Sequence, residues 1–377
     1  MKILIATDSY KGCMNSQEVC EQIEKGILRA NDQHRCVLYP MADGGEGTAD
    51  VFAQVLGGTM VSMESVDAYG KKIEVSYARK GNLAIMDVAT CIGLNMYPRE
   101  QRNPMVANSC GVGKMMRHAI DHGCKKIVIG LGGSCTNDGG MGILSEFGVE
   151  FYDHKRKKLE PGIYALKRLA FIDKSHFIQP DVECIVACDV QNHLLGKEGA
   201  TYIFGKQKGL FSNQLKEIDT WMNKYQNKIK QTFHVDMNAY AGSGAAGGIG
   251  GVLLGVFKAQ MEPGIELLIK QSQMEKDLEN CDLVITGEGQ TDAQTMYGKV
   301  PYGITHLANR YHKPVICLSG ALGRGYEKLY ETGVIGIFST ADRAMSFQQA
   351  LHLGPEKLEA LAYNVIRLID GIKGMEE

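Results

Sequence analysis

Five acidic residues of this chain share one setting: Asp8, Asp43, Asp138, Asp189 and Glu288 each follow, or nearly follow, an apolar run and border small residues. Carboxylates so placed can hold Mg²⁺, which prefers carboxylates, waters and substrate phosphates, and can supply a general base. Asp and Gly also mark turns and helix caps, so one such residue alone carries little. All five together point to a shared site, because loops at the carboxyl ends of parallel strands converge on one crevice. Lys11, Lys208 and Lys299 each sit beside a glycine, where a lysine can reach a phosphate as a point charge. A solvated surface position is the ordinary alternative for lysine. Lys11 is the best placed of the three, since it follows the first apolar run with Asp8 three residues earlier.

Between Gly130 and Gly140 the chain reads Gly-Leu-Gly-Gly-Ser-Cys-Thr-Asn-Asp-Gly-Gly, directly after Lys126-Ile-Val-Ile129. Such a stretch is poor core material, and its expected use is to bring backbone N–H groups close to an anion. The segment Gly242 to Gly251 suits either a second anion cradle at a helix start or a crossing where only small residues fit. No Gly-x4-Gly-Lys-Ser/Thr occurs, which excludes a P-loop, and the Gly130 region lacks the acidic partner of the dinucleotide fingerprint. No nucleophile elbow with a suitable triad is present. The histidines show no metal-ligand spacing, and His193 reads as a turn or surface residue.

The elements that must position these residues alternate in type. Ile3–Ala6 is a first strand, and Asn15 with Glu18 forms a capping box before a helix whose face carries Val19, Ile23 and Ile27. Cys36–Met41 is a second strand, ending at Ala42-Asp-Gly-Gly-Glu-Gly-Thr48. The same grammar returns at Leu283–Ile285, Val315–Leu318 and Val334–Phe338, which argues for a parallel sheet. Between them, Val61–Val66, Ile73–Tyr77 and Leu83–Val88 read as hairpin strands around Ala68-Tyr69-Gly70. A helix from Gly113 to His122 and a strand from Val182 to Ala187 follow. The chain is therefore expected to be α/β, a flavodoxin-like parallel-sheet domain (1–60 and 265–377) with a second α/β domain (61–264) inserted.

With 377 residues the chain exceeds one usual core, and 41 basic against 43 acidic residues leave no global field for nucleic acid or membrane. Its eleven cysteines are scattered, without zinc-like pairing, and read as buried thiols of a reducing compartment. No signal peptide is visible, and no apolar run approaches the ~20 residues that cross a bilayer. The expectation is a cytoplasmic protein, with a homodimer left open.

The ordered set Asp8-Ser-Tyr-Lys-Gly, Ala42-Asp-Gly-Gly-Glu-Gly-Thr, Gly132-Gly-Ser-x-Thr-Asn-Asp-Gly-Gly, Cys188-Asp-Val, Phe204-Gly-x-Gln-Lys-Gly, Gly244-Ala-Ala-Gly-Gly and Thr286-Gly-Glu-Gly resembles the bacterial type I glycerate kinases across nearly the whole chain. The resemblance implies ATP- and Mg²⁺-dependent phosphorylation of D-glycerate, with 2-phosphoglycerate favoured over 3-phosphoglycerate, in a cleft between the two domains. Through the matched motifs it also implies substrate or phosphate contacts at Asp8, Asp43, Gly44, Gly45, Glu46, Gly132, Gly133, Ser134, Asn137, Gln207, Lys208, Glu288, Asp292 and Lys299. The chain departs from the commonest pattern at Thr7, at His193, and at Gln290-Thr291, where Arg-Leu is frequent. An arginine there would offer a bidentate anion clamp.

Phosphoryl transfer needs an Asp near the attacking hydroxyl and cations on the phosphates. Asp189 is the expected base because it ends the strand from Val182, and Lys11 the phosphate-contacting cation. The backbone of Gly132, Gly133 and Ser134 is the expected oxyanion cradle. Asp43 and Asp138 are the metal candidates, and Asp43 and Glu46 suit Mg²⁺ or substrate hydroxyls equally. A kinase of a related small hydroxy acid and a non-catalytic carboxylate sensor are the alternatives.

Overall fold

The computed structural model describes residues 1–42 and 47–376, so Asp43, Gly44, Gly45 and Glu46 lie outside the described residues. Its strands, in chain order, are β1 (Lys2–Thr7), β2 (Arg35–Pro40), β3 (Thr59–Val66), β4 (Lys72–Lys80), β5 (Leu83–Asp87), β6 (Lys126–Gly130), β7 (Glu150–Tyr152), β8 (Phe171–Asp173), β9 (Glu183–Ala187), β10 (Gln260–Glu262), β11 (Leu283–Thr291), β12 (Val315–Leu322) and β13 (Val334–Ser339). The chain forms two compact units: Met1–Asp43 with Gly264–Glu377, and Gly44–Pro263.

The first unit holds a parallel sheet in the order β2-β1-β11-β12-β13, the flavodoxin-like arrangement. Its strands are continuous apolar runs because helices cover both faces, as parallel sheets require; Ile3, Leu4 and Ile5 are fully buried. The helix Ser16–Ala30 starts at the expected capping box, with Asn15 Oδ1 accepting from Glu18 N at 2.9 Å and Glu18 Oε2 from Asn15 N at 2.8 Å. Its buried face, Val19, Ile23 and Ile27, joins one core with Leu358, Ala362 and Ile366 of the long final helix Phe347–Glu376.

The second unit is built on a mixed sheet, β10-β9-β6-β5-β4-β3, in which β3–β4–β5 are antiparallel and β5, β6, β9 and β10 run parallel. A separate antiparallel pair of β7 and β8 and the helix Leu215–Phe233 complete it. Gly130 pairs with Ala187, so the segments that follow β6 and β9 leave the same edge of the sheet side by side. The first boundary falls near residue 43 rather than at 60. The helix Thr48–Leu56 turns Val51, Phe52 and Leu56 inward and packs on β4 and β5, with Ala49 N donating to Asp87 Oδ2 at 3.1 Å. All eleven cysteines are free thiols. No described helix is long and apolar enough to cross a membrane.

Candidate active site

The glycine segment after β6 divides into an open rim and a buried floor. Gly132 and Gly133 reach solvent, whereas Ser134 to Gly140 are buried. Gly133 takes φ +71°, a turn conformation that suits glycine. Leu94 N donates to Gly133 O at 2.6 Å and Cys135 N to Ile92 O at 2.8 Å, which pins the turn to the segment after β5. The N–H groups of Gly132, Gly133 and Ser134 donate to no acceptor among the described residues. Three adjacent donors without a protein acceptor, just beyond the carboxyl end of a parallel strand, are the kind of backbone group that can bind an anion.

Lys208 comes to this turn from a distant loop. It is 2 % exposed, and its Nζ donates to Ser134 Oγ at 3.0 Å and to Thr136 O at 2.6 Å. Burial drives its ammonium down to about 8, against the smaller opposing pull of Cys135 and Asp138. Its expected partner in sequence, Gln207, is exposed, and the Gln207 carbonyl accepts from Arg102 Nη1 at 2.9 Å.

The floor serves packing, which overturns the expectation that the whole segment is poor core material. Asn137 is fully buried and donates to Thr201 Oγ1 at 3.1 Å. Asp138 accepts four hydrogen bonds: Oδ2 from Ser109 N, Ser109 Oγ and Gly142 N, and Oδ1 from Gly140 N. Burial pushes its carboxyl up, and those four donors oppose the shift. Asp138 thus ties the segment to the start of the helix Cys110–Asp121 through both of its oxygens. The other metal candidate, Asp43, lies outside the described residues.

The glycines of 242–251 resolve in the same direction, as a close crossing. Gly139 N donates to Gly247 O at 2.9 Å, and a Cβ on Gly247 would stand 2.1 Å from Thr136 O. Gly247 also holds φ +68°. Gly247→Ala is therefore expected to cost about 3 kcal/mol, from strain at positive φ plus overpacking. Gly196→Ala, at φ +89° with nothing within 4 Å of the new Cβ, should cost only about 1 kcal/mol. Urea unfolding of both variants checks the difference.

Asp189 stands half-buried two residues beyond β9. Cys188 N donates to Glu262 O at 3.2 Å, Gly244 N to Asn192 O at 2.9 Å, and His193 Nδ1 bonds Asn238 O at 2.8 Å. These contacts hold both sides of Asp189, and they give His193 a loop-anchoring role.

In the first unit, Asp8 is buried after β1, its N–H bonded to Gly287 O at 2.9 Å, and Lys11 is exposed. Glu288, on β11, is 4 % exposed and accepts from Thr295 Oγ1 at 2.5 Å, Lys299 Nζ at 3.1 Å and Thr291 Oγ1 at 3.2 Å. Burial pushes its carboxyl up, opposed by Thr295, Lys299 and Thr291. Thr291 in turn lies 2.7 Å from Ser319 Oγ. This hydroxyl set, missed in sequence, carries a signal only in hindsight: small polar residues ending buried strands. Asp292 caps the turn Ala293–Tyr297, accepting from Gln294 N at 2.8 Å, and takes Gln290 Nε2 at 3.0 Å. Lys299 thus serves Glu288, and Gln290 serves Asp292.

A parallel α/β architecture with glycine turns at strand ends is one that suits phosphorylated small-molecule ligands, and the comparisons with known proteins supply the class. The profile of the glycerate kinase family matches residues 3–370, and the chain belongs to that family. A glycerate kinase of Bacillus cereus is 36% identical over 372 residues, covering 97% of each chain. A glycerate 2-kinase of Escherichia coli strain K12 is 37% identical over 343 residues, covering 90% of each. A crystal structure from Salmonella typhimurium LT2, provisionally assigned to glycerate kinase 2, superposes with a TM-score of 0.85 at 37% identity and 99% coverage of both chains. The chain is an enzyme, a kinase with an alcohol acceptor, and the sensor alternative falls away.

Proposed function

We propose that this kinase transfers the γ-phosphoryl group of ATP to the 2-hydroxyl of D-glycerate, giving 2-phosphoglycerate and ADP. The observation that carries phosphoryl transfer is the row of unpaired N–H groups at Gly132, Gly133 and Ser134, set beside Lys208 at the sheet edge from which the Asp189 loop also leaves, and the choice of the 2-hydroxyl draws on the similarity to a glycerate 2-kinase. Donors of that kind neutralise charge on phosphoryl oxygens. The Asp189 carboxylate takes the proton of the attacking hydroxyl as the O–P bond forms and the bond to ADP breaks. On the first unit, Lys11, exposed after β1, is the further phosphate-contacting cation that its motif implies, and Asp8, Glu288, Asp292 and Lys299 are the polar contacts of that unit. Mg²⁺ enters with the nucleotide as part of the substrate, where it needs only one or two protein carboxylates. Free thiols at all eleven cysteines support a reducing, cytoplasmic setting.

Phosphorus NMR of the product formed from D-glycerate and ATP checks the regiochemistry: the 2-phosphate resonance is expected, and a 3-phosphate product would overturn it. A kinase for a related hydroxy acid draws support from Gln290, which is committed to Asp292 and brings no cation. Turnover of glycolate, lactate or tartronate above that of glycerate would establish this second reading.

A further inference from the structure

Arg102 belongs to none of the motifs quoted above, yet it is wired into the anion site. It is half-buried after the single turn Arg99–Gln101. Its Nε donates to Tyr97 O at 3.1 Å and its Nη1 to Gln207 O at 2.9 Å. Gly209 lies against it from the other side of Lys208, where a Cβ would stand 3.3 Å from Arg102 O and 3.4 Å from Arg102 Cβ. Arg102 therefore bonds the loop just before the lysine that bonds Ser134, and its backbone lies close to the glycine just after it.

The support behind it is rigid. Tyr97 OH donates to Asp67 Oδ2 at 2.7 Å, Asp67 Oδ1 accepts from Tyr69 N and Lys71 N at 2.9 Å each, and the Tyr69 and Tyr97 rings meet edge to face at 4.8 Å. A guanidinium has five N–H donors; Arg102 spends two, and the others meet no acceptor among the described residues. Burial pushes the Cys135 thiol up to about 11, while Lys208 and Arg102 both pull it down. Both positive charges thus act on Cys135, the residue next to Ser134.

We infer that Arg102 is the second cation of the anion site: it sets the Gln207–Lys208–Gly209 loop and directs its remaining N–H donors to phosphoryl oxygens held at Gly132–Ser134. This rests on the reading of that turn as the phosphoryl cradle. A planar fork suits the task, since it holds a backbone carbonyl and a phosphate oxygen together.

The test is steady-state kinetics of purified Arg102→Met, Arg102→Lys and Lys208→Met, with thermal unfolding of each. Arg102→Met should lose about 100-fold in kcat/KM, with a raised KM for ATP, and Arg102→Lys about tenfold, because charge without the fork restores only part of the contact. Added methylguanidine should recover part of the activity of Arg102→Met and none of Lys208→Met. Wild-type kinetics in Arg102→Met, with only the melting temperature lowered, would overturn the inference and leave a structural arginine. Should that variant fail to fold, wild-type kinetics in Arg102→Lys overturns it equally. If Lys208→Met is impaired while both Arg102 variants are normal, the role of Arg102 fails alone. Wild-type kinetics in all three would remove the cradle reading itself.

Discussion

Asp189→Asn should lower kcat by about 10³, within the range that a positioned general base contributes, while the variant folds as the parent does. Asparagine keeps the shape of the side chain and removes its capacity to accept the hydroxyl proton. The scaffold gives reason to expect intact folding. Asp189 is half-buried, and its loop is held by backbone bonds at Cys188 and Asn192 and by the His193 ring. KM for glycerate should change little, because the base acts on a proton that moves only in the transition state. Near-normal turnover would remove Asp189 from the base position. If raising Mg²⁺ restores the rate, the carboxylate is a metal contact and the base lies elsewhere.

The parallel strands were legible because burial on both faces leaves an unmistakable trace. Leu283-Val-Ile285 and Val315–Leu318 are unbroken apolar runs between helical patterns, and the Asn15–Glu18 capping box marks a helix start by local chemistry alone. The boundary near 43 was not legible, since Val51, Phe52 and Leu56 announce a buried face without saying which sheet buries it. The helix Leu215–Phe233 carries Leu215, Ile218, Met222, Tyr225 and Ile229 at helical spacing and was readable in principle. At the site, charged residues could be picked by type, but their partners could not. Ser109 stands 29 positions from Asp138, and Ser134 stands 74 from Lys208. Periodicity has no access to such distances. The glycines misled for a related reason: composition reports the missing side chains, and only the fold shows whether a ligand or another backbone fills the space.

Lys208 combines two demands that pull its proton in opposite directions, which makes pH the sharpest probe of its role. As the cation beside Ser134 it must be charged to hold phosphoryl oxygens, and burial brings its midpoint to about 8. Activity should therefore fall as pH rises through about 8. Lys208→Met should lose about 10²–10³ in kcat/KM, the cost of removing one preorganised donor. Lys208→Arg, which stays protonated across this range, should be slower near neutrality but should not share the alkaline decline.

Stability should move the other way. A free lysine titrates near 10.4, so between about pH 8 and 10.4 the unfolded chain binds the Lys208 proton and the folded chain does not. The fold gains stability with rising pH in that window. Cys135 and Asp138 are the ionisable groups that face Lys208 and oppose the shift. Urea midpoints of wild type minus those of Lys208→Met, measured beside the rate profile, isolate this contribution from other titrating groups. The expected pair of curves has activity dropping while the stability difference rises, which rules out unfolding as the cause of the lost rate. A wild-type rate profile flat to pH 10 would take the charge on Lys208 out of the reaction.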